Sequence, residues 1–318
     1  MSERPPEAVG WDFVRGATMT RAFAVAADLR IADTLARGPK DVAEIARDVG
    51  ADPATLYRLL RALASDGVFV EEGQGVFRNT PVSELLFGDG WPEFARLFGG
   101  VFYRAVGDLD EAVQKGDATF AKTFGTDFWS WLGVHPGERA DFDRAMAGGK
   151  DRTAARLEEL EWHDNEVVVD VGGGNGALLV ELLRRRPRLR GIVFDLAETE
   201  RDESRLGERI EFVAGSFFEH VPVGDTYILS AILHDWDDEH AAAILRTIRS
   251  AAPSHARLLV IESVIQPENE PQGAKWLDLL MLVIGGLERT EADWRALIEH
   301  CGFHVERIED GLIEARCL

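Results

Sequence analysis

Residues 167–183 read VVVDVGGGNGALLVELL, and this stretch limits the fold more than any other part of the chain. A run of apolar, mostly β-branched residues gives way to Gly172-Gly173-Gly174-Asn175-Gly176, and the glycines give way to a leucine-rich segment with helical spacing. A strand this uniformly apolar is buried on both faces, which calls for a parallel sheet covered by helices on each side. Glycines at its end let the backbone turn tightly and let a ligand approach main-chain atoms that a Cβ would cover. The next apolar run ends in Asp195, about twenty residues on, where a carboxylate is placed to accept hydrogen bonds from a ribose diol. The stretch predicts a nucleoside-containing cofactor. Gly172, Gly174 and Ala177 also satisfy the loose dinucleotide pattern G-x-G-x-x-A. Asp170 counts against a dinucleotide, because a carboxylate two residues before the glycines repels a pyrophosphate and suits an α-amino group. No second mononucleotide-binding half follows, so an aminoacyl nucleoside fits better than NAD.

The same character continues downstream. GIVFDL, IEFVAGSF, TYILSAIL and ARLLVIESV are short apolar runs, separated by helical text at 177–186, 198–206 and 239–251. One more helix is expected at 291–301, and FHVERIED with GLIEARCL predicts a closing hairpin. The fold class is therefore α/β, with a Rossmann-like sheet in the C-terminal half.

The front half differs. Residues 1–12 read as a polar, weakly ordered start, and residues 17–35 as a buried helix. Residues 41–81 parse as a helix over 41–48, a turn at Gly50, a helix over 53–65, and two strands joined near Gly73 and Gly75. Asp52 before Pro53 is a strong helix start. This is a winged-helix pattern, which serves either DNA reading through Arg58 and Arg61 or packing and dimerisation. Residues 85–150 are mostly helical and rich in aromatics, among them Phe98, Phe102, Phe128, Trp129 and Trp131, which suit a core or the wall of a pocket for a planar ligand.

Charge weighs against the DNA-reading use of the winged helix. The formal net charge is −21, and an acidic surface repels phosphate backbones and anionic lipid alike. Neither a nucleic-acid nor a membrane partner is expected. No apolar run reaches the length of a membrane span or of a signal peptide's core. Cys301 and Cys317 form neither a disulfide framework nor a metal motif, so a reducing, cytoplasmic setting is expected.

The second chemical feature is LHDWDDEH, with His234 at the end of TYILSAIL. Ligands of open α/β sheets bind beyond the carboxyl ends of strands, and a histidine titrating near pH ~6.5 is a natural general base there. Two other readings stay open on the residues alone. His234 with its neighbouring acids is compatible with a metal site, although Asp237, Asp238 and Glu239 are equally explained as helix-opening residues. It is also compatible with a histidine that caps the strand.

DVGGGNG, the Asp after the second strand, GSFF, LHDWDDEH and GGLERT occur in this order in a known family. From about residue 15 to its end, the chain resembles the plant-type and bacterial small-molecule O-methyltransferases that use S-adenosyl-L-methionine. The resemblance implies a class I methyltransferase sheet of seven strands with an antiparallel last strand. It also implies an N-terminal mainly α winged-helix domain over 1–88 that forms a homodimer. Residues 89–150 would be a helical linker contributing to the substrate pocket, and 151–318 the cofactor-binding domain. Gly172 would lie against the methionine part of the cofactor, with Asp170, Gly174 and Leu196 nearby. Asp195 would hold the ribose, and Ser216 with Phe217 would surround the adenine. Ser230 and Arg139 match further cofactor contacts, Arg139 toward the carboxylate. His234 matches the catalytic base, and Glu262 and Glu288 the acids that flank it. Phe128, Trp129, Asp235, Asp278 and Met281 are expected at the substrate, a small aromatic or polyketide-like molecule carrying a phenolic hydroxyl. No metal is expected.

Ser216 stands where many relatives carry Asp, and Ser230 where plant enzymes often carry Lys. Both departures resemble the bacterial natural-product branch. Two alternatives remain at this point: a relative that uses the bound cofactor for hydroxylation, decarboxylation or cyclisation, and a winged-helix regulator with a ligand-sensing domain.

Overall fold

A computed structural model describes residues 4–88, 90–197, 199 and 206–318. The chain divides into two compact units. One comprises Met1–Gly107 and His135–Gly148, the other Asp108–Val134 and Gly149–Leu318. Residues 89–150 are thus distributed over both.

The first unit begins with a helix, Pro6–Asp28, rather than the weakly ordered start expected for residues 1–12. Pro6 stands at its first position, where the missing N–H costs nothing. The polar spacing of this segment hides a helix that leaves Trp11, Phe13 and Val14 exposed. Asp41 caps the helix Val42–Val49 by accepting from Ala43 N at 2.8 Å, and Gly50 ends it with φ +71°. Asp52 caps Pro53–Ser65 through Thr55 N at 2.9 Å. Strand β1 (Lys40–Asp41) pairs with β3 (Val76–Asn79), which pairs with β2 (Phe69–Gly73), all antiparallel. Ile45, Leu60, Phe69 and Phe77 form the fully buried centre of this winged helix.

In the second unit, seven strands build one sheet: β4 (Val167–Val171), β5 (Arg190–Asp195), β6 (Ile210–Ala214), β7 (Thr226–Ser230), β8 (Arg257–Ile261), β11 (Phe303–Glu309) and β12 (Leu312–Cys317). Two short strands between them, β9 (Val264–Ile265) and β10 (Arg289–Thr290), pair separately and in parallel. The order across the large sheet is β11-β12-β8-β7-β4-β5-β6. Every pairing is parallel except those of β12, which runs antiparallel to both β8 and β11. This is the class I methyltransferase sheet, and the expected hairpin closes it.

Strand order reverses at β4 and β7, so the crevice beyond their carboxyl ends is the ligand site of such a sheet. The strands are covered on both faces. Tyr227, Leu229, Leu258 and Val260 pack against Ile244, Leu245 and Trp294 on one side. Val168, Ile228 and Leu259 pack against Leu178, Leu179 and Leu182 on the other. The helix expected at 198–206 lies outside the described residues except for Thr199 and Leu206. Among the described residues no helix is long and apolar enough to cross a membrane.

Candidate active site

Strand β4 delivers Asp170 to the crevice and Gly172 turns the chain away from it. Gly172 has φ +71°, and a Cβ there would lie 2.5 Å from Cδ1 of Ile232. Gly174 follows with φ +58° and open space where a side chain would stand. Asp195, at the end of β5, ties this loop down. One carboxylate oxygen accepts from Gly174 N at 2.8 Å, the other from Leu196 N at 2.7 Å and Thr199 Oγ1 at 2.6 Å. Asp170 is buried, and its Oδ2 has no hydrogen-bond partner. Burial pushes its carboxyl up to about 7, against the pull of Lys150 and with the repulsion of Asp195. A buried acceptor without a donor costs about 1–3 kcal/mol, and a ligand donor at this oxygen would relieve that cost.

After β6, Gly215 leads into Ser216 and Phe217. A Cβ at Gly215 would meet the Phe194 ring at 2.6 Å, which is why the turn can fold so close to β5. Phe217 lies near Gly172 and edge-on to Trp236 at 6.1 Å. Ser216 Oγ accepts from Phe218 N at 3.3 Å, and Leu196 is exposed on the loop after β5. At the end of β7, Ser230 Oγ accepts from Lys150 Nζ at 3.1 Å.

His234 is not on the strand itself. β7 stops at Ser230, Ala231 takes φ +58°, and His234 sits in the 3-10 turn Leu233–Asp235. Five hydrogen bonds hold that turn. Glu262, which follows β8, accepts from Ile232 N at 2.9 Å and Leu233 N at 2.8 Å through one oxygen. Arg289 donates to the carbonyls of Leu233 at 3.0 Å and Trp236 at 2.9 Å. His234 O accepts from Leu287 N at 2.8 Å. Gly286 permits this approach, because a Cβ there would run into His234 O and lie 3.0 Å from Asp235 Cα.

Three carboxylates surround the imidazole. Nδ1 is 2.7 Å from Glu288 Oε1 and 3.8 Å from Glu262 Oε2, and Nε2 is 3.6 Å from Asp235 Oδ1. Glu262 and Glu288 are buried. Burial alone would lower the imidazole; Glu262, Asp235 and Glu288 outweigh it and raise His234 to about 10. Asp235 is itself raised to about 7 by burial and by Glu262 and Glu288, against His234. Glu262 is raised by the same desolvation. The pairing of Nδ1 with a carboxylate puts a proton on that nitrogen and leaves Nε2 as the ring's reactive end.

The remaining expected residues fall at varied depths. Asp278 accepts from Glu288 N at 2.9 Å and thus acts one step from the imidazole. Met281 is buried on the helix Ala274–Ile284. Phe128 is interior, edge-on to Phe120 and Trp129. Trp129 is partly exposed and its ring lies nearly parallel to Trp236, with 6.0 Å between centroids. Arg139 belongs to the first unit, where Nε bonds Asp143 at 2.9 Å. Reasoning from sequence missed Lys150, Arg289 and Trp236. Two of these lie inside the matched motifs, where an assignment beyond the acids was available; nothing around Lys150 signals its position.

The chain matches the family model described as the O-methyltransferase domain over residues 106–304, and the O-methyltransferase dimerisation domain over 11–89. It is 39% identical over 317 residues to phenazine O-methyltransferase from Lysobacter antibioticus, covering 96% of this chain and 93% of that protein. The crystal structure of LaPhzM superposes with a TM-score of 0.92 at 38% identity, covering 99% of this chain and all of that one. The neocarzinostatin-biosynthesis O-methyltransferase NcsB1, solved with S-adenosylmethionine and 2-hydroxy-5-methyl naphthoic acid, superposes with a TM-score of 0.79 at 35% identity over 95% of this chain and 96% of that one. The residues present suit that cofactor: an unpartnered buried carboxylate at Asp170 for its ammonium group, and glycines at 172 and 174 that keep side chains out of the crevice. The chain belongs to the O-methyltransferase family and is an S-adenosylmethionine-dependent O-methyltransferase.

Proposed function

We propose that this enzyme methylates an aromatic hydroxyl of a small natural product, and that His234 removes the hydroxyl proton. The observation carrying this reading is the 2.7 Å contact between His234 Nδ1 and Glu288 Oε1, which in the neutral ring leaves Nε2 to accept a proton. A phenol has a pKa near ~10, and an imidazole held at about 10 takes its proton at almost no thermodynamic cost. Glu288 fixes the tautomer and stabilises the imidazolium as it forms. Glu262 adds charge while tying down the turn that presents the ring. When bound, S-adenosylmethionine supplies a methyl group already activated on a sulfonium, so the chain contributes orientation and proton removal.

Around the cofactor, Asp170 would receive the ammonium group and Asp195 the ribose hydroxyls. Gly172 and Gly174 would admit the methionine portion, and Leu196, Ser216 and Phe217 would surround the adenine. Ser230 completes this set. On the acceptor side, Trp129 and Trp236 offer flat apolar surfaces, supported from behind by Phe128. Asp235, Asp278 and Met281 complete this side. The hydroxynaphthoic acid bound by NcsB1 and the phenazine in the name of the Lysobacter relative support a planar acceptor. The exposed Trp11, Phe13 and Val14 lie within the match to the dimerisation domain and support a homodimer through this helix.

The test is turnover of His234→Ala with labelled cofactor and an accepted phenol. A positioned base contributes about 10²- to 10⁴-fold, so turnover should fall by that factor with cofactor affinity retained. Near-normal turnover removes His234 from the mechanism.

A further inference from the structure

We propose that Lys150 binds the carboxylate of the cofactor's methionine portion. This rests on the placement of the cofactor proposed above. Lys150 opens the helix Lys150–Glu158, and its side chain crosses to β7, where Nζ donates to Ser230 Oγ at 3.1 Å. Ser230 ends the strand that pairs with β4 through Asp170 and Ile228, so this contact lies at the reversal of strand order. The ammonium feels the buried carboxylates of Asp170 and Glu262 from neighbouring strand ends.

The charge pattern there suits a zwitterion. The unpartnered Oδ2 of Asp170 offers an acceptor to an ammonium group. An amino-acid ligand also brings a carboxylate, which this acid-lined crevice would repel without a cation of its own. Lys150 has three donors and spends one on a neutral hydroxyl. Its burial lowers its pKa, and Asp170 with Glu262 counters that effect. The position at a helix start adds partial positive charge of the same sign. The contact brings Lys150 to the end of a strand 80 positions later in the chain.

The competing role for Lys150 is a counter-ion that merely offsets the acids. Calorimetric titration of the full-length protein separates the two. The ligands are S-adenosylhomocysteine and S-adenosyl-3-thiopropylamine, which keeps the sulfur and the amine and lacks only the carboxylate. A charge-assisted hydrogen bond implies that Lys150→Met weakens S-adenosylhomocysteine about 10- to 100-fold while the amine ligand stays within about threefold. Lys150→Arg should retain most of the affinity for S-adenosylhomocysteine and serves if the Met variant fails to fold. Equal loss of both ligands, or loss of neither, overturns the proposal, as does selective loss in Arg139→Met with none in either Lys150 variant. Asp195→Ala should weaken both ligands alike. If it affects neither, the ribose assignment fails, and the Lys150 comparison still stands on its own.

Discussion

Glu288 holds the imidazole of His234 at 2.7 Å while its own backbone amide is held by Asp278 at 2.9 Å. The orienting acid is therefore itself oriented, and Gly286 and Leu287 just before it clamp the backbone of the turn that carries His234. Glu288→Gln preserves shape and removes charge. We expect turnover to fall roughly 10²-fold, in line with the share of base catalysis that depends on tautomer and charge, with little change in cofactor affinity. Unchanged turnover in steady-state assays would separate Glu288 from the chemistry.

The carboxylates around His234 set a distinct pH dependence. With the imidazole raised to about 10, the ligand-free protein carries it protonated at pH 8. A base must first lose that proton, so the rate should climb with pH above 7 instead of levelling off. An NMR titration of the ring checks this directly: half-protonation near pH ~6.5, the ordinary value, contradicts it.

Asp170, proposed above to receive the ammonium group, is costly to bury in its charged form. Its carboxyl is raised from 3.8 to about 7. A folded-state value above the unfolded one means that this group favours the folded chain most on the acid side. That contribution is lost as pH rises from about 4 through 7. Asp170→Asn removes the cost of burying a charge and should stabilise the ligand-free protein at pH 8 by roughly 2–4 kcal/mol. The same variant should bind S-adenosylhomocysteine more weakly. Thermal melts that fall at pH 8 would refute the electrostatic account.

Arg289 is buried, stacks 4.9 Å over Trp294, pairs with Asp238 at 2.9 Å and caps the carbonyls of Leu233, Leu287 and Trp236. Arg289→Met leaves these acceptors unpaired and should cost about 2–4 kcal/mol, read as a drop in melting temperature. Arg289→Lys should recover only part of it, because an ammonium lacks the fork that reaches several carbonyls. Full recovery by Lys would mean that charge alone matters.

Much of this protein is written locally. The apolar text of Val167–Val171 announces a doubly covered strand because both faces are buried, and Asp41, Asp52 and Asp237 announce helix starts because each carboxylate reaches an amide two or three residues ahead. LHDW, VIESV and LERT pointed to His234, Glu262 and Glu288 through resemblance, while spacing alone left three readings of His234 open. The tertiary structure decided the rest. It stopped β7 at Ser230, brought Glu262 and Glu288 to the Nδ1 side of His234, which lies 28 and 54 residues before them in the chain, sent Phe128 to the interior, and brought Lys150 to Ser230. These contacts join residues tens of positions apart, and their energies depend on burial and on charges arriving from several strand ends. No local pattern encodes such a field, because it exists only once the sheet has assembled.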